Sequence, residues 1–308
     1  MPFEPTRDRV DPEKMNTAPR RRPEWIKILS TDENTYVWLK ELMRKKTLHT
    51  VCEEAGCPNM GECWGSGTAT FLVLGDICTR ACGFCDVRHG KPSALDCEES
   101  ERVAQAVKAM QLKHAVITSV TRDDLRDGGA GLFAAIIEKI HAYLPGCSVE
   151  VLIPDFKGDQ TALKTVMNAQ PEILNHNLET VPRLFRLVQP QDHLEWSKAI
   201  LKGAKAMDGD VLTKSGIMVG LGESMAELKE TMRLLREWQV DILTIGQYLQ
   251  PSRKHLPIDR YYTLEEFAEL KRYGEEIGFG WVESAPLVRS SYHAAEQVRT
   301  LSKRLPKA

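Results

Sequence analysis

Residues 71–85 read Phe71-Leu-Val-Leu-Gly75-Asp-Ile-Cys78-Thr-Arg-Ala-Cys82-Gly-Phe-Cys85. A short apolar run closed by glycine is the pattern of a buried strand, and three cysteines follow it directly. Further strand-like runs lie at Ala115–Val120, Ser148–Ile153, Glu172–Asn175, Thr213–Val219, Asp241–Ile245 and Phe279–Glu283. Between them apolar residues recur at helical spacing, as in Val103, Ala106, Val107 and Met110, or Leu132, Phe133, Ile136, Ile137 and Ile140. A third stripe is Trp196, Ala199, Ile200, Ala204 and Met207. Ser224-Met-Ala-Glu227 and Thr263-Leu-Glu-Glu266 have the form of capping boxes ahead of stripes that start at Met225 and Leu264. Strand alternating with helix implies a parallel sheet with right-handed crossovers, either open and doubly wound or curved into a full or partial barrel. The pattern alone does not choose between them.

The chain has 308 residues, 42% of them hydrophobic and 27% charged, which is a globular composition with room for a sizeable core. No apolar run approaches the roughly 18 residues of a membrane span. Forty-one basic against 43 acidic residues leave a net charge of −2, without the basic excess of a nucleic-acid binder. The N-terminal arm mixes prolines and arginines with Glu4, Asp8, Asp11 and Glu13, acids that a transit peptide avoids, and it lacks the apolar core of a secretory signal. A cytoplasmic protein is expected. Arg20, Arg21 and Arg22 read first as a solvated charge run, or as a surface that steers an acidic partner.

Six of the eight cysteines fall between Cys52 and Cys85, as two triplets: Cys52, Cys57 and Cys63, then Cys78, Cys82 and Cys85. Without a secretory signal such clustering points to metal or redox chemistry. A structural zinc ion wants four closed ligands, and His89 or His49 could complete a Cys3His set. A cubane iron–sulfur cluster on three thiolates instead keeps one iron open for reaction. Cys97 and Cys147 stand alone and are expected to be small buried hydrophobes.

The CxxxCxxC of Cys78, Cys82 and Cys85 resembles the signature of the radical S-adenosylmethionine (SAM) enzymes. The preceding CxxxxCxxxxxC resembles the additional triplet of lipoyl synthases. Thr118-Ser-Val-Thr-Arg-Asp-Asp-Leu125, Asn175-His-Asn-Leu-Glu-Thr180, Gly246-Gln-Tyr-Leu-Gln-Pro-Ser252 and Val288-Arg-Ser-Ser-Tyr-His-Ala294 extend the likeness over about residues 24–297. It implies an α/β fold, a partial (β/α)6 TIM-like barrel with N- and C-terminal extensions covering its mouth and chemistry on the loops after the strands. The corresponding divisions are an arm at 1–47, an auxiliary-cluster segment at 48–68, the barrel at 69–285 and a tail at 286–308.

The same likeness implies two 4Fe-4S clusters and SAM as cofactors. One cluster would sit on Cys78, Cys82 and Cys85. The other, a sacrificial sulfur source, would sit on Cys52, Cys57, Cys63 and a serine of the tail, Ser291 with Ser290 as the alternative. An oxygen ligand is less matched to iron than a thiolate and releases a cluster more readily. By comparison with biotin synthase, Glu179 would meet the SAM ribose and Asn177 would face substrate. Gly216-Ile-Met-Val-Gly-Leu-Gly-Glu223 resembles a GxIxGxxE element near the adenine, with Gly220 and Gly222 allowing close backbone approach. Phe84 would pack beside cluster or adenine, and Tyr248, Gln250 and Ser252 would line the pocket. The implied reaction inserts sulfur at C6 and C8 of an octanoyl chain on a carrier lysine, where unactivated carbons leave radical abstraction as the entry. Implied partners are octanoylated lipoyl carrier domains, namely the lipoyl domain of 2-oxoacid dehydrogenases and the glycine-cleavage H protein. An electron donor such as flavodoxin or ferredoxin would serve a monomer that uses neither nucleic acid nor membrane. A biotin synthase-like enzyme, an RNA or protein methylthiotransferase and a zinc-stabilised module are the competing readings. The Cys52 triplet, the short tail and the missing fourth zinc ligand count against them in turn.

Overall fold

Strand pairing follows chain order. The computed structural model describes residues 23–26, 41, 43–46, 48–50, 59 and 70–301. Among them one sheet runs β1 (His49–Thr50), β2 (Thr70–Val73), β3 (His114–Ser119), β4 (Ser148–Leu152), β5 (Ile173–Asn175), β6 (Leu212–Val219), β7 (Ile242–Gln247) and β8 (Trp281–Ser284). β1 is antiparallel to β2, and every later pair is parallel. Helices fill the crossovers: α1 (Glu99–Ala109), α2 (Ala130–Tyr143), α3 (Gln160–Asn168), the short α4 (Phe185–Val188) with α5 (Leu194–Met207), α6 (Met225–Glu237) and α7 (Leu264–Glu276). These are the six strand–helix units of the expected partial barrel, followed by β8 and α8 (Ala294–Leu301).

Alternation along each strand decides what faces the barrel interior. Outward residues such as Phe71, Val73, Ile117 and Val151 are buried under α1, α2 and α3, while Val219, Leu243 and Ile245 are buried under α6 and α7. Both capping boxes form: the Ser224 and Thr263 hydroxyls accept from the N–H groups of Glu227 and Glu266, whose carboxylates accept in return. Inside, a polar layer crosses the barrel at mid-height. Lys214 Nζ lies 3.0 Å from Glu150 Oε1, both fully buried, and Asn175 Nδ2 donates to Glu150 at 2.8 Å. Burial opposes a charge on Glu150, but Lys214, His114 and Asn175 together outweigh it and hold the carboxyl at about 2. Beneath this layer Ile173, Leu212 and Ile242 close the barrel against Leu301 of α8.

The C-terminal segment therefore spans the barrel. Gln247 N donates to Pro286 O at 3.1 Å, which seats residues 286–291 at the C-terminal strand ends, and α8 then reaches the opposite end. Extended coverage of the mouth accounts for only the first part of this tail. Three expected core positions lie outside: Met207 and Leu264 are exposed at the ends of their helices, and Cys97 is exposed where a buried residue was expected. Cys147 is buried as expected.

Candidate active site

The loop leaving β2 is held by its own backbone. Cys78 N donates to Arg88 O at 2.8 Å and Gly90 N to Cys78 O at 2.9 Å. Gly83 N donates to Val188 O, Leu256 N donates back to Gly83 O, and a Cβ at Gly83 would fall 2.9 Å from the Leu256 side chain. This folding turns Cys78, Cys82 and Cys85 toward one cavity of about 560 Å³. All three are free thiols. Burial pushes Cys82 up, with the Asp192 charge adding to it, and pushes Cys85 up to about 11 against a hydrogen bond from the Val87 backbone. Such thiols keep their protons until a metal displaces them.

The arrangement suits a cluster. Among the described residues no three Cys, His, Asp or Glu side chains gather as ligands of one ion. A cubane takes each thiolate on a different iron, so its ligands ring a space instead of converging. Cys78 Sγ accepts from Arg80 N at 3.4 Å and Thr121 N at 3.3 Å, contacts of the kind that tune a metal held by a cysteine. His89 is exposed and meets Cys78 through its backbone. Cys52, Cys57 and Cys63 lie outside the described residues. Asn59, between the second and third of them, is buried and donates through Nδ2 to Leu287 O at 2.5 Å.

Arg80, inside the cysteine loop, spends all five guanidinium hydrogens on three aspartates. It contacts Asp123 at 2.8 and 2.9 Å, Asp155 twice at 2.8 Å and Asp192 at 2.5 Å. Burial alone would lower its pKa, yet the bonds to Asp123 and Asp155 outweigh that and keep it charged. The arginine thereby pins the cysteine loop to the ends of β3 and β4. Asp123, which could have capped α2, instead belongs to this hub; the first turn of α2 is capped by Asp127, whose carboxylate accepts from Gly129 N at 3.0 Å and Gly131 N at 2.9 Å.

The facing wall is built from β5, β6 and the tail. Glu179 N donates to Gly216 O at 2.9 Å and Met218 N to Glu179 O at 2.8 Å, so Asn177–Glu179 prolongs β5 alongside β6. Glu179 takes a left-handed φ of 64° there. Burial raises its carboxyl to about 7, against the hydrogen bond from Asn177, with the Asp192 charge adding to the rise and Arg289 opposing it. Arg289, Ser290 and Ser291 close the wall.

Of the residues expected at the site, Cys78, Cys82, Phe84, Cys85, Asn177, Glu179, Tyr248, Gln250, Ser290 and Ser291 line the cavity. Gly220 and Gly222 do not. Their left-handed φ values of 100° and 105° form a turn capped by Glu223, which accepts from Gly220 N and Leu221 N, and the residues of that element facing the cavity are Gly216, Ile217 and Met218. Ser252 is also elsewhere: its hydroxyl meets His255 Nδ1 at 2.9 Å, and His255 Nε2 donates to Cys85 O at 3.1 Å. Sequence reading passed over Arg80, Asp155 and Asp192. A lone charge inside the cysteine loop was the available signal for the first.

A parallel partial barrel with three cysteines at the mouth, on the loop after its first parallel strand, defines a radical SAM enzyme, and the model of the Radical SAM superfamily matches residues 72–235. The chain is 60% identical over 276 residues to the lipoyl synthase of Rubrobacter xylanophilus, covering 90% of this chain and 86% of that one. It is 56% identical over 286 residues to the lipoyl synthase of Bacillus cytotoxicus, covering 92% and 96%. It belongs to the lipoyl synthases. Solved structures show the same fold at low identity. Streptococcus suis SuiB bound to its precursor peptide SuiA superposes with a TM-score of 0.56 at 12% identity, over 73% of this chain and 50% of that one. HydG, a maturase of the [FeFe]-hydrogenase, does so with 0.52 at 15%, over 87% and 65%.

Proposed function

We propose that the cavity is where this lipoyl synthase acts, with the roles of its residues assigned from their positions. The protein inserts two sulfur atoms, at C6 and C8, into an octanoyl group carried on a lysine of another protein. When bound, SAM and the 4Fe-4S clusters supply one-electron cleavage of the sulfonium to a 5'-deoxyadenosyl radical and a source of sulfide. Cys78, Cys82 and Cys85 hold the first cluster. Cys52, Cys57, Cys63 and Ser291 hold the second. Glu179 accepts the ribose hydroxyls of SAM, Phe84 packs beside it, and Asn177 borders the acyl chain. The Met218 stretch of β6, not Gly220 or Gly222, meets the adenine side. Enclosure within the barrel keeps water from a reactive carbon centre.

One observation supports this reading: the Cys78 triplet and the tail serines line a single cavity, and Asn59 of the Cys52 triplet's segment bonds to the tail four residues before Ser291. Octanoylated lipoyl domains and the glycine-cleavage H protein are the proposed carriers, and flavodoxin or ferredoxin the proposed reductant of a cytoplasmic monomer. No helix among the described residues is long and apolar enough to cross a membrane.

Anaerobic reconstitution should give about eight iron and eight sulfide per chain, as two four-iron clusters require. Mass spectrometry of an octanoylated carrier peptide after reaction should show two sulfurs gained and two hydrogens lost. Cys82→Ala should abolish SAM cleavage, whereas Cys57→Ala should cleave SAM and yield no lipoyl product. Normal product from Cys57→Ala would remove the Cys52 triplet from sulfur donation.

A further inference from the structure

We propose that Ser290 is a positioning residue that ties the C-terminal tail to the SAM side of the cavity through Asn177, so that an occupied SAM site holds Ser291 in place. The inference rests on the roles assigned above to Glu179 and Ser291, and it gives the two adjacent serines different work.

The Asn177 carboxamide has two hydrogens on Nδ2, and the structure uses both. One goes to Glu179 Oε1 at 3.0 Å and the other to Ser290 Oγ at 2.6 Å. Because the amide is planar, a tilt that suits one acceptor spoils the other. Its room to tilt is small: Asn177 Oδ1 is buried without a partner, above Gly216, where a Cβ would fall 2.8 Å from it. The Glu179 backbone is fixed on both sides by β6, so only the side chain can follow a ligand. Arg289, next to Ser290, adds a positive charge that favours ionised Glu179. Ser291 also lines the cavity, and its hydroxyl is hydrogen-bonded to none of the described residues. One serine is thus committed to the amide, and its neighbour is available to a metal.

Coupling of this kind is reciprocal. SAM that draws Glu179 into line orders the amide and the tail, and a seated tail tightens SAM by the same factor. The test uses full-length protein loaded with both clusters and no reductant. It measures SAM affinity by equilibrium dialysis and backbone hydrogen exchange of residues 288–293 with and without SAM.

In the unsubstituted protein SAM should slow exchange of the tail severalfold. Ser290→Ala should weaken SAM binding about tenfold, the scale of one lost hydrogen bond, and its tail should no longer respond to SAM, with about eight iron still bound. Ser290→Thr, which keeps the hydroxyl, should restore both. Wild-type affinity and tail response in Ser290→Ala would overturn the inference, as would a tail indifferent to SAM in the unsubstituted protein. Loss of half the iron from Ser290→Ala would overturn it differently, by making Ser290 the ligand. Ser291→Ala reads the ligand assignment separately: an unchanged iron count and cluster spectrum there would defeat that assignment, while the Ser290 result is judged on SAM affinity and tail exchange.

Discussion

Burial raises the Glu179 carboxyl to about 7 from an ordinary value of 4.5. Between those two values the folded chain binds more protons than the unfolded chain, so stability falls as pH rises through the window and is level outside it. Glu179→Gln keeps an acceptor for Asn177 and removes the charge. The cluster-free variant should be more stable than the parent at pH 8, by on the order of 3 kcal/mol, and the difference should shrink toward zero at pH 5. Urea midpoints at the two pH values measure this; an equal change at both would mean that burial of charge is not the cause. The same cost makes chemical sense of the residue. A carboxylate short of hydrogen bonds deep in a cavity is ready to accept two hydroxyls.

The tail depends on a single glycine of β7. A Cβ at Gly246 would collide with the Val288 carbonyl, and the Arg289 guanidinium lies just beyond. Close approach of two backbones is what lets residues 288–291 lie across the strand ends. Gly246→Ala should therefore unseat the tail and reduce lipoyl formation at least tenfold in a peptide assay, while circular dichroism reports an intact barrel, whose sheet is paired strand to strand without residues 288–291. Full product formation would show that the tail's seating over β7 is dispensable. The helices behave more locally: each capping box is closed by residues three apart, which is why both were readable before any tertiary contact was known.

Across the whole barrel the polar layer of Glu150, Asn175 and Lys214 divides the cavity above from the apolar floor below. Three strands each contribute one member, so the layer ties β4, β5 and β6 together from within. Removing Lys214 leaves the Glu150 charge buried with only Asn175 and His114 beside it. Lys214→Met should cost about 3–5 kcal/mol of stability, and adding Glu150→Gln should recover most of it. Guanidinium unfolding of both variants reads the difference; a double variant no better than the single would mean that the pair is not the coupled unit.

The sequence by itself determined the periods and the cysteine spacing. Two-residue and 3.6-residue repeats depend only on which side chains prefer water, so five of the six strand–helix units were legible from the pattern, α3 at Gln160–Asn168 being passed over, and so was the spacing of three cysteines. Strand β1 was not, since His49–Thr50 pairs only because β2 offers an edge. Tertiary structure alone decided the rest. Arg80 meets aspartates 43, 75 and 112 residues away, Ser290 meets Asn177 across 113, and Gly220 sits where Gln247 and Arg260 leave no room for a Cβ. Distances of that kind have no signature in a linear chain. They exist only once the parallel strands have brought their C-terminal ends to one mouth.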